Sequence, residues 1–138
     1  MQAQGRGGPK DEAIKAEAWR LFGLYVAQGN AQAQCSLALM QAQGRGGPKD
    51  EAEARRLFGL AAAQGDAEAQ CALGLMHANG RGGPMDEAEA CRLFGLAAAQ
   101  GEAQAQRNLA LMHAFGRGGP KNEAEARRLH ALAAVQGA

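Results

Sequence analysis

The sequence predicts an all-α protein, an α/α superhelix (a right-handed solenoid) of antiparallel helix pairs with about seven helices. Three observations carry this expectation. First, the apolar fraction is mostly alanine: 33 Ala among 138 residues, against 14 Leu, 1 Ile, 2 Val and 4 Phe. Alanine is the best helix former and β-branched residues are nearly absent, which disfavours strands. Second, Gly-Arg-Gly-Gly-Pro recurs at 5–9, 44–48, 80–84 and 116–120, and Gln-Gly recurs every 36 residues at 28–29, 64–65, 100–101 and 136–137. A fixed period between about 20 and 50 residues is the mark of a stacked array. Third, residues 44–79 and 80–115 differ at only 8 of 36 positions.

Each 36-residue unit reads as two helices, an A helix and a B helix. In the unit 66–101, Asp66 caps an A helix in which Ala69, Leu73 and Met76 fall on one face. The 80–84 segment breaks the helix and turns the chain. Asp86 then starts a B helix, with Glu89 three residues later in a capping-box arrangement repeated by Asp50/Glu53 and Asn122/Glu125. Ala90, Leu93, Phe94, Ala97 and Ala98 form its buried stripe. Gly29, Gly65, Gly101 and Gly137 stand where left-handed C-terminal caps are expected. The expected order is B 10–28, A 31–43, B 49–64, A 67–79, B 85–100, A 103–115 and B 121–136. The whole chain, 1–138, is then one repeat domain: a lone B helix, then A–B units at about 30–65, 66–101 and 102–137.

The first interval between Gly-rich segments is 39 residues, three longer than the others, and its origin is legible. Residues 1–13 repeat 40–52 letter for letter, then Ile14-Lys15-Ala16 is inserted before Glu17 resumes the register of Glu53. Three residues turn a helix by about 300°, so the first helix is expected to be about a turn longer, with its faces offset by about 60°.

Charge and composition exclude several classes of function. With 15 basic and 14 acidic side chains the net charge is +1, so no global field draws the chain to nucleic acid or anionic membrane. No apolar run approaches the ~20 residues of a membrane span, and the first residues lack an apolar signal core. Three cysteines do not make a disulfide framework. The expected location is the cytoplasm.

The residues Ala-x-Ala-Gln-x-x-Leu-Gly at 67–74, the turn at 80–84, Asp86, Ala90, Leu93-Phe94 and Ala97-Ala98-x-Gln-Gly at 97–101 resemble the Sel1-like repeat. That family is an α-solenoid relative of the tetratricopeptide repeat, which has a period of about 34. Departures are modest: Gln41, His77 and His113 stand where the family usually has Tyr, and Leu57, Leu93 and Leu129 where it often has Trp or Tyr. The resemblance implies a non-enzymatic scaffold or adaptor that binds protein, with no cofactor. Some secreted relatives staple each unit with a disulfide, but their cysteine spacing is absent here.

Terminal units of a solenoid must close an exposed core. The B helices pair alanines at 61/62, 97/98 and 133/134, whereas the first helix has Tyr25 and Val26 there, and Trp19 in place of Arg55, Cys91 and Arg127. These larger side chains are expected to fill the space of a missing A helix. His130 replaces Phe58 and Phe94 at the other end. Two alternatives stay open: a fragment of a longer array, begun at a methionine equivalent to Met40, and an element that self-associates head to tail through its end faces.

No catalytic or metal-binding constellation is visible. His77 and His113 occupy equivalent positions, about 10 Å apart if their helices pack, too far to share a metal. They read as polar residues at a helix seam, and His130 has no visible partner as a base. Cys35 and Cys71 share one repeat position. Cys71 and Cys91 flank the 80–84 turn at levels a disulfide could join, but free thiols are the expectation. The Gly-Arg-Gly-Gly segment could cradle phosphate before a helix, yet it lacks a Walker lysine, follows no strand, and precedes Asp50 or Asp86, which repel anions. Arg6, Arg45, Arg81 and Arg117 could line one edge as a nucleic-acid ladder, but a structural turn with Arg solvated or capping a carbonyl is expected.

The expected partner-binding surface is the A-helix stripe outside the buried face. It comprises Gln32, Ser36, Leu39 and Gln43, then Glu68, Ala72, Leu75 and Asn79, then Gln104, Asn108, Leu111 and Phe115. In related solenoids the A helices line a concave groove. Here the stripe mixes amides with leucines and one Phe, suited to an extended peptide or a helix.

Overall fold

In the computed structural model, residues 9–137 are described. Met1 to Gly8, with Arg6 and the start of the first Gly-rich segment, lie outside the described residues. Seven helices follow one another: α1 (Pro9–Val26), α2 (Ala31–Gln43), α3 (Glu51–Ala63), α4 (Ala67–Asn79), α5 (Glu87–Ala99), α6 (Ala103–Phe115) and α7 (Glu123–Gly137). The described residues contain no strand. Each helix packs on its neighbours in the chain, most closely within the pairs α2–α3, α4–α5 and α6–α7. The result is an all-α solenoid of stacked helix pairs.

Local chemistry sets the ends of the helices. The side chains of Asn30, Asp66 and Glu102 accept from the third backbone N–H of α2, α4 and α6. Asp50 and Asp86 cap α3 and α5 the same way. The B helices therefore begin two residues later than the sequence suggests: Pro48-Lys49 and Pro84-Met85 lie outside the helix, and Asp50 and Asp86, in extended backbone, are the caps. Helix α1 departs from its copies. It starts at Pro9, so Asp11 lies inside its first turn and not at a cap. The A helices end on left-handed Gly44, Gly80 and Gly116. Gly29, Gly65 and Gly101 also take positive φ, at 80°, 92° and 90°. Gly137 does not stand beyond a helix as expected, since α7 runs through it.

The core explains the composition. Just over half of its buried apolar residues are alanines, from Ala33 to Ala133, and the largest fully buried side chains are Phe94 and Leu57. Small side chains let helix axes approach, so dispersion over many close contacts replaces a thick layer of large residues. Burying Leu57 or Phe94 still contributes about 1.5–3 kcal/mol each. Three of the four buried glutamines enter this core paired with a second amide. Gln34, Gln70 and Gln106 are at most 5% exposed. Their side-chain oxygens accept from Gln64, Gln100 and Gln136 at 2.8, 2.9 and 2.7 Å. Gln70 and Gln106 also donate to the carbonyls of Ala62 and Ala98. Unpaired, such amides would carry a desolvation cost of about 1–3 kcal/mol each.

The turns lock each unit to the one before. At Gly82, φ is +73°, and a Cβ there would collide with the Glu51 carbonyl oxygen. Gly118 meets Glu87 and Gly46 meets Lys15 in the same way. Lys15 is the register equivalent of Glu51, so the Ile14-Lys15-Ala16 insertion leaves the rest of α1 in step. Its effect is confined to the start of the helix, where residues 10–14 are exposed.

The expected filling of the first end face is corrected in part. Val26 and Trp19 pack against the core, but Tyr25 is 51% exposed. Trp19 points the other way from a missing helix: its ring lies against Gly47, in the turn that follows α2. His130 is exposed on α7, where Phe58 and Phe94 are buried.

Candidate functional site

The A helices set the twelve stripe residues side by side, and none of them is buried. Two hollows lie between successive A helices. Leu39, Gln43, Ala72 and Leu75 line the first, of about 160 Å³, together with Phe58 and Arg81. Leu75, Asn79, Asn108 and Leu111 line the second, of about 80 Å³, together with Phe94 and Arg117. Leu75 is the wall shared by both. Gln32, Ser36, Glu68, Gln104 and Phe115 line neither hollow, and Phe115 stands 72% exposed at the end of α6.

The arginines of the turns border these hollows with their charge already matched. Arg81 pairs with Glu51 at 2.6 Å and Arg117 with Glu87 at 2.8 Å, each reaching back one unit. The Arg81 guanidinium hydrogen-bonded to Glu51 holds that carboxyl below its usual range. Among the described residues Arg45 has no such partner, because Lys15 occupies the place of Glu51. Arg6 lies outside the described residues. Arg81 and Arg117 thus act as clasps between units, an interaction the sequence reading missed: the partner glutamate lies 30 residues back and no local spacing reveals it.

Two larger hollows lie on the B-helix side, and the sequence reading missed them too. One, of about 460 Å³, is floored by Gly59, Ala62 and Leu73 and rimmed by Leu96 and the Glu89–Arg92 pair. The other, of about 490 Å³, repeats it 36 residues on. Every residue lining the first recurs unchanged in the second. The small residues at 59, 62 and 63, with their copies, were the available signal.

The cysteines are free, Cys35 and Cys71 buried and Cys91 half-buried. Burial, aided by nearby Glu68 and Asp66, pushes the Cys35 thiol up to about 12. Burial and then Glu102 push Cys71 up to about 12. Both stay protonated at neutral pH, which removes them as nucleophiles. Among the described residues, Cys35, Asp66 and Glu68 bring potential ligand atoms within 4.8 Å of one another. The Asp66 carboxylate is already the α4 cap, bonded to the Ala69 N–H at 2.8 Å. With that carboxylate engaged, the trio reads as the surroundings of a helix start. No described helix is long and apolar enough to cross a membrane.

The family model for the Sel1 repeat matches three consecutive segments, 31–66, 67–102 and 103–137. Among solved structures, the chain is similar to c5321, described as a protective antigen of uropathogenic Escherichia coli strains displaying an SLR fold. The TM-score is 0.85 at 31% identity, over 90% of this chain and 27% of that one. A Sel1 repeat protein from Oxalobacter formigenes matches with a TM-score of 0.83 at 29% identity, over 90% of this chain and 51% of that one. The chain therefore spans about a quarter and about half the length of these two relatives. No curated protein matches the sequence.

Proposed function

Since the chain belongs to the Sel1 repeat family, whose members generally serve as protein–protein interaction scaffolds, we propose that it is a non-enzymatic adaptor receiving a partner's peptide or helix on its A-helix face. The observation that carries this reading is where the two nearly identical units differ. Of their eight differences, six fall on an A helix or its cap, including Glu68/Gln104, Ala72/Asn108 and Asn79/Phe115. The larger B-side hollows are lined by unchanging residues, as expected of packing that every unit must repeat. A surface that distinguishes one unit from the next can read a partner's sequence, whereas an invariant one cannot.

The chemistry of the face fits an uncharged segment. Leu39, Leu75 and Leu111 offer half-exposed apolar walls, amides stand at the edges, and Arg81 and Arg117 are already neutralised. A partner would seat apolar side chains in the hollows on either side of Leu75 and bond its backbone to Gln43, Asn79 and Asn108. Leu75→Arg and Phe115→Ala should each weaken a captured partner at least about tenfold with the unfolding midpoint little changed. If both variants bind as the parent does, the A face is not the site.

A second reading is self-association through the outer helices. Tyr25 and Leu24 on α1, and Leu132 and Val135 on α7, are exposed apolar groups, with Val135 at 86%. Sedimentation at rising concentration tests it, and a strict monomer removes it.

A further inference from the structure

We infer that the contact between α3 and the 80–84 turn contains an acid-sensitive latch: protonation of the His77 ring expels the Arg55 guanidinium and leaves the turn held to α3 only by the Arg81–Glu51 pair and the Gly82 contact. Arg55 reaches across the unit boundary with three bonds. Its Nη1 donates to the Arg81 carbonyl at 3.1 Å, and its Nη2 donates to the Pro84 carbonyl at 2.8 Å. Its Nη2 also lies 2.7 Å from His77 Nδ1. A guanidinium has only donors and does not give up its proton, so His77 Nδ1 must be the acceptor and the ring neutral. The fit around the guanidinium is close, since a Cβ on Gly83 would fall 2.7 Å from Nη1.

Protonation reverses the geometry. Nδ1 becomes a donor that faces another donor at hydrogen-bond distance, and two positive charges share a half-buried space. Arg55 must leave, and the two carbonyls of the turn lose their partner. The groups facing His77 are Arg55 from α3 and Asp86, Glu89 and Arg92 from the start of α5. The two acids favour the charged ring, but Glu89 is bonded to Arg92 and Asp86 caps α5. Burial first, and Arg55 second, hold the imidazole below its ordinary range. The folded state therefore selects the neutral ring. The latch is whole above the unfolded value of about 6.5 and is lost as pH falls below it towards the lower folded value.

The other two joints lack this pair. The positions of Arg55 and His77 are held by Trp19 and Gln41 in the first joint and by Cys91 and His113 in the third. The release also reaches the A face, because Arg81, whose carbonyl Arg55 holds, lines the hollow between α2 and α4.

The test is an NMR titration of the His77 ring in the full chain, run beside amide exchange of residues 80–86 corrected for intrinsic rate. The expected result is a His77 midpoint below about 6.5. Between about 6.5 and that midpoint, local opening should rise towards about tenfold per pH unit as the pH falls, and level off below it. His77→Gln, the residue of the first joint, should abolish the acid-induced opening, and His113→Gln should leave it in place. Arg55→Cys, the residue of the third joint, should raise the His77 midpoint. A parent midpoint at or above about 6.5, a midpoint unmoved in Arg55→Cys, or acid opening that persists in His77→Gln overturns the latch. The wild-type midpoint and exchange profile can still overturn the latch even if a variant fails to fold.

Discussion

The first and second joints of the array share a backbone and differ in chemistry. In each, a left-handed glycine presses against a carbonyl of the preceding B helix, Gly46 on Lys15 and Gly82 on Glu51. In each, one side chain from that helix covers the next glycine: the Trp19 ring lies on Gly47 and the Arg55 guanidinium on Gly83. The consequences diverge. Arg55 satisfies two carbonyls and His77, and Arg81 closes on Glu51 beside it. At the first joint an indole offers apolar area but no donor towards the A helix, and the buried side-chain oxygen of Gln41 has no partner among the described residues. The glycines fix where one unit sits on another, while the covering side chain decides whether the joint is held by packing or by polar bonds.

Breaking the shared part should have the largest effect. Gly82→Ala places a Cβ against the Glu51 carbonyl in a backbone region that alanine avoids, and should cost about 3 kcal/mol in denaturant unfolding. A near-neutral result would mean that the glycine contact does not set the joint. Removing the cover of the first joint comes next. Trp19→Ala should cost about 2 kcal/mol, less than a fully buried Trp because the ring is only half-buried. Trp19→Arg sharpens the comparison, since it brings the donors of the second joint to the orphaned Gln41 oxygen and should recover about 1 kcal/mol relative to Trp19→Ala. Arg equal to or worse than Ala there would show that the two joints are not interchangeable.

The amide ladder gives a smaller contrast between the same regions. Gln100→Ala removes the bonds to Gln70 and to the Gly65 carbonyl and should cost about 1 kcal/mol. Gln28, its equivalent just beyond α1, is exposed, and Gln28→Ala should be within about 0.5 kcal/mol of the parent. Equal effects would deny the ladder its role. The smallest change expected is Gly74→Ala. A Cβ there falls 2.8 Å from the Phe94 ring, but the first unit holds Ala38 beside buried Phe58. A small shift of the ring should offset the helix-propensity gain, leaving a net effect under about 1 kcal/mol in melting experiments.

The arrangement of helices was legible because it rests on local and periodic signals. Capping at Asp50, Asp66 and Asp86, the breaks at Gly80 and Gly116, and the buried stripe through Leu93 and Phe94 all follow from residues within one or two turns of each other. The solenoid could be read from the 36-residue period, and the resemblance to its family from the residues at 67–74, 80–84 and 97–101. The candidate face could be named residue by residue, since a helical stripe is set by spacing, but its division into two hollows about Leu75 was not visible. The B-side hollows, the Arg81–Glu51 clasp and the direction of Trp19 were also hidden. Each joins residues that are far apart in the chain, and the repeat hides them further by offering the same residue types in every unit.

The sequence by itself determined the helices, their order and the small residues that let them stack, because these depend on propensity, caps and a repeating pattern. Only the tertiary structure decided what crosses from one unit to the next. Arg55 meets His77 and two turn carbonyls, while Gln41 meets no donor, because stacking brings together residues some 20 to 30 positions apart. Which of them face each other depends on the packing of whole helices and not on any local preference.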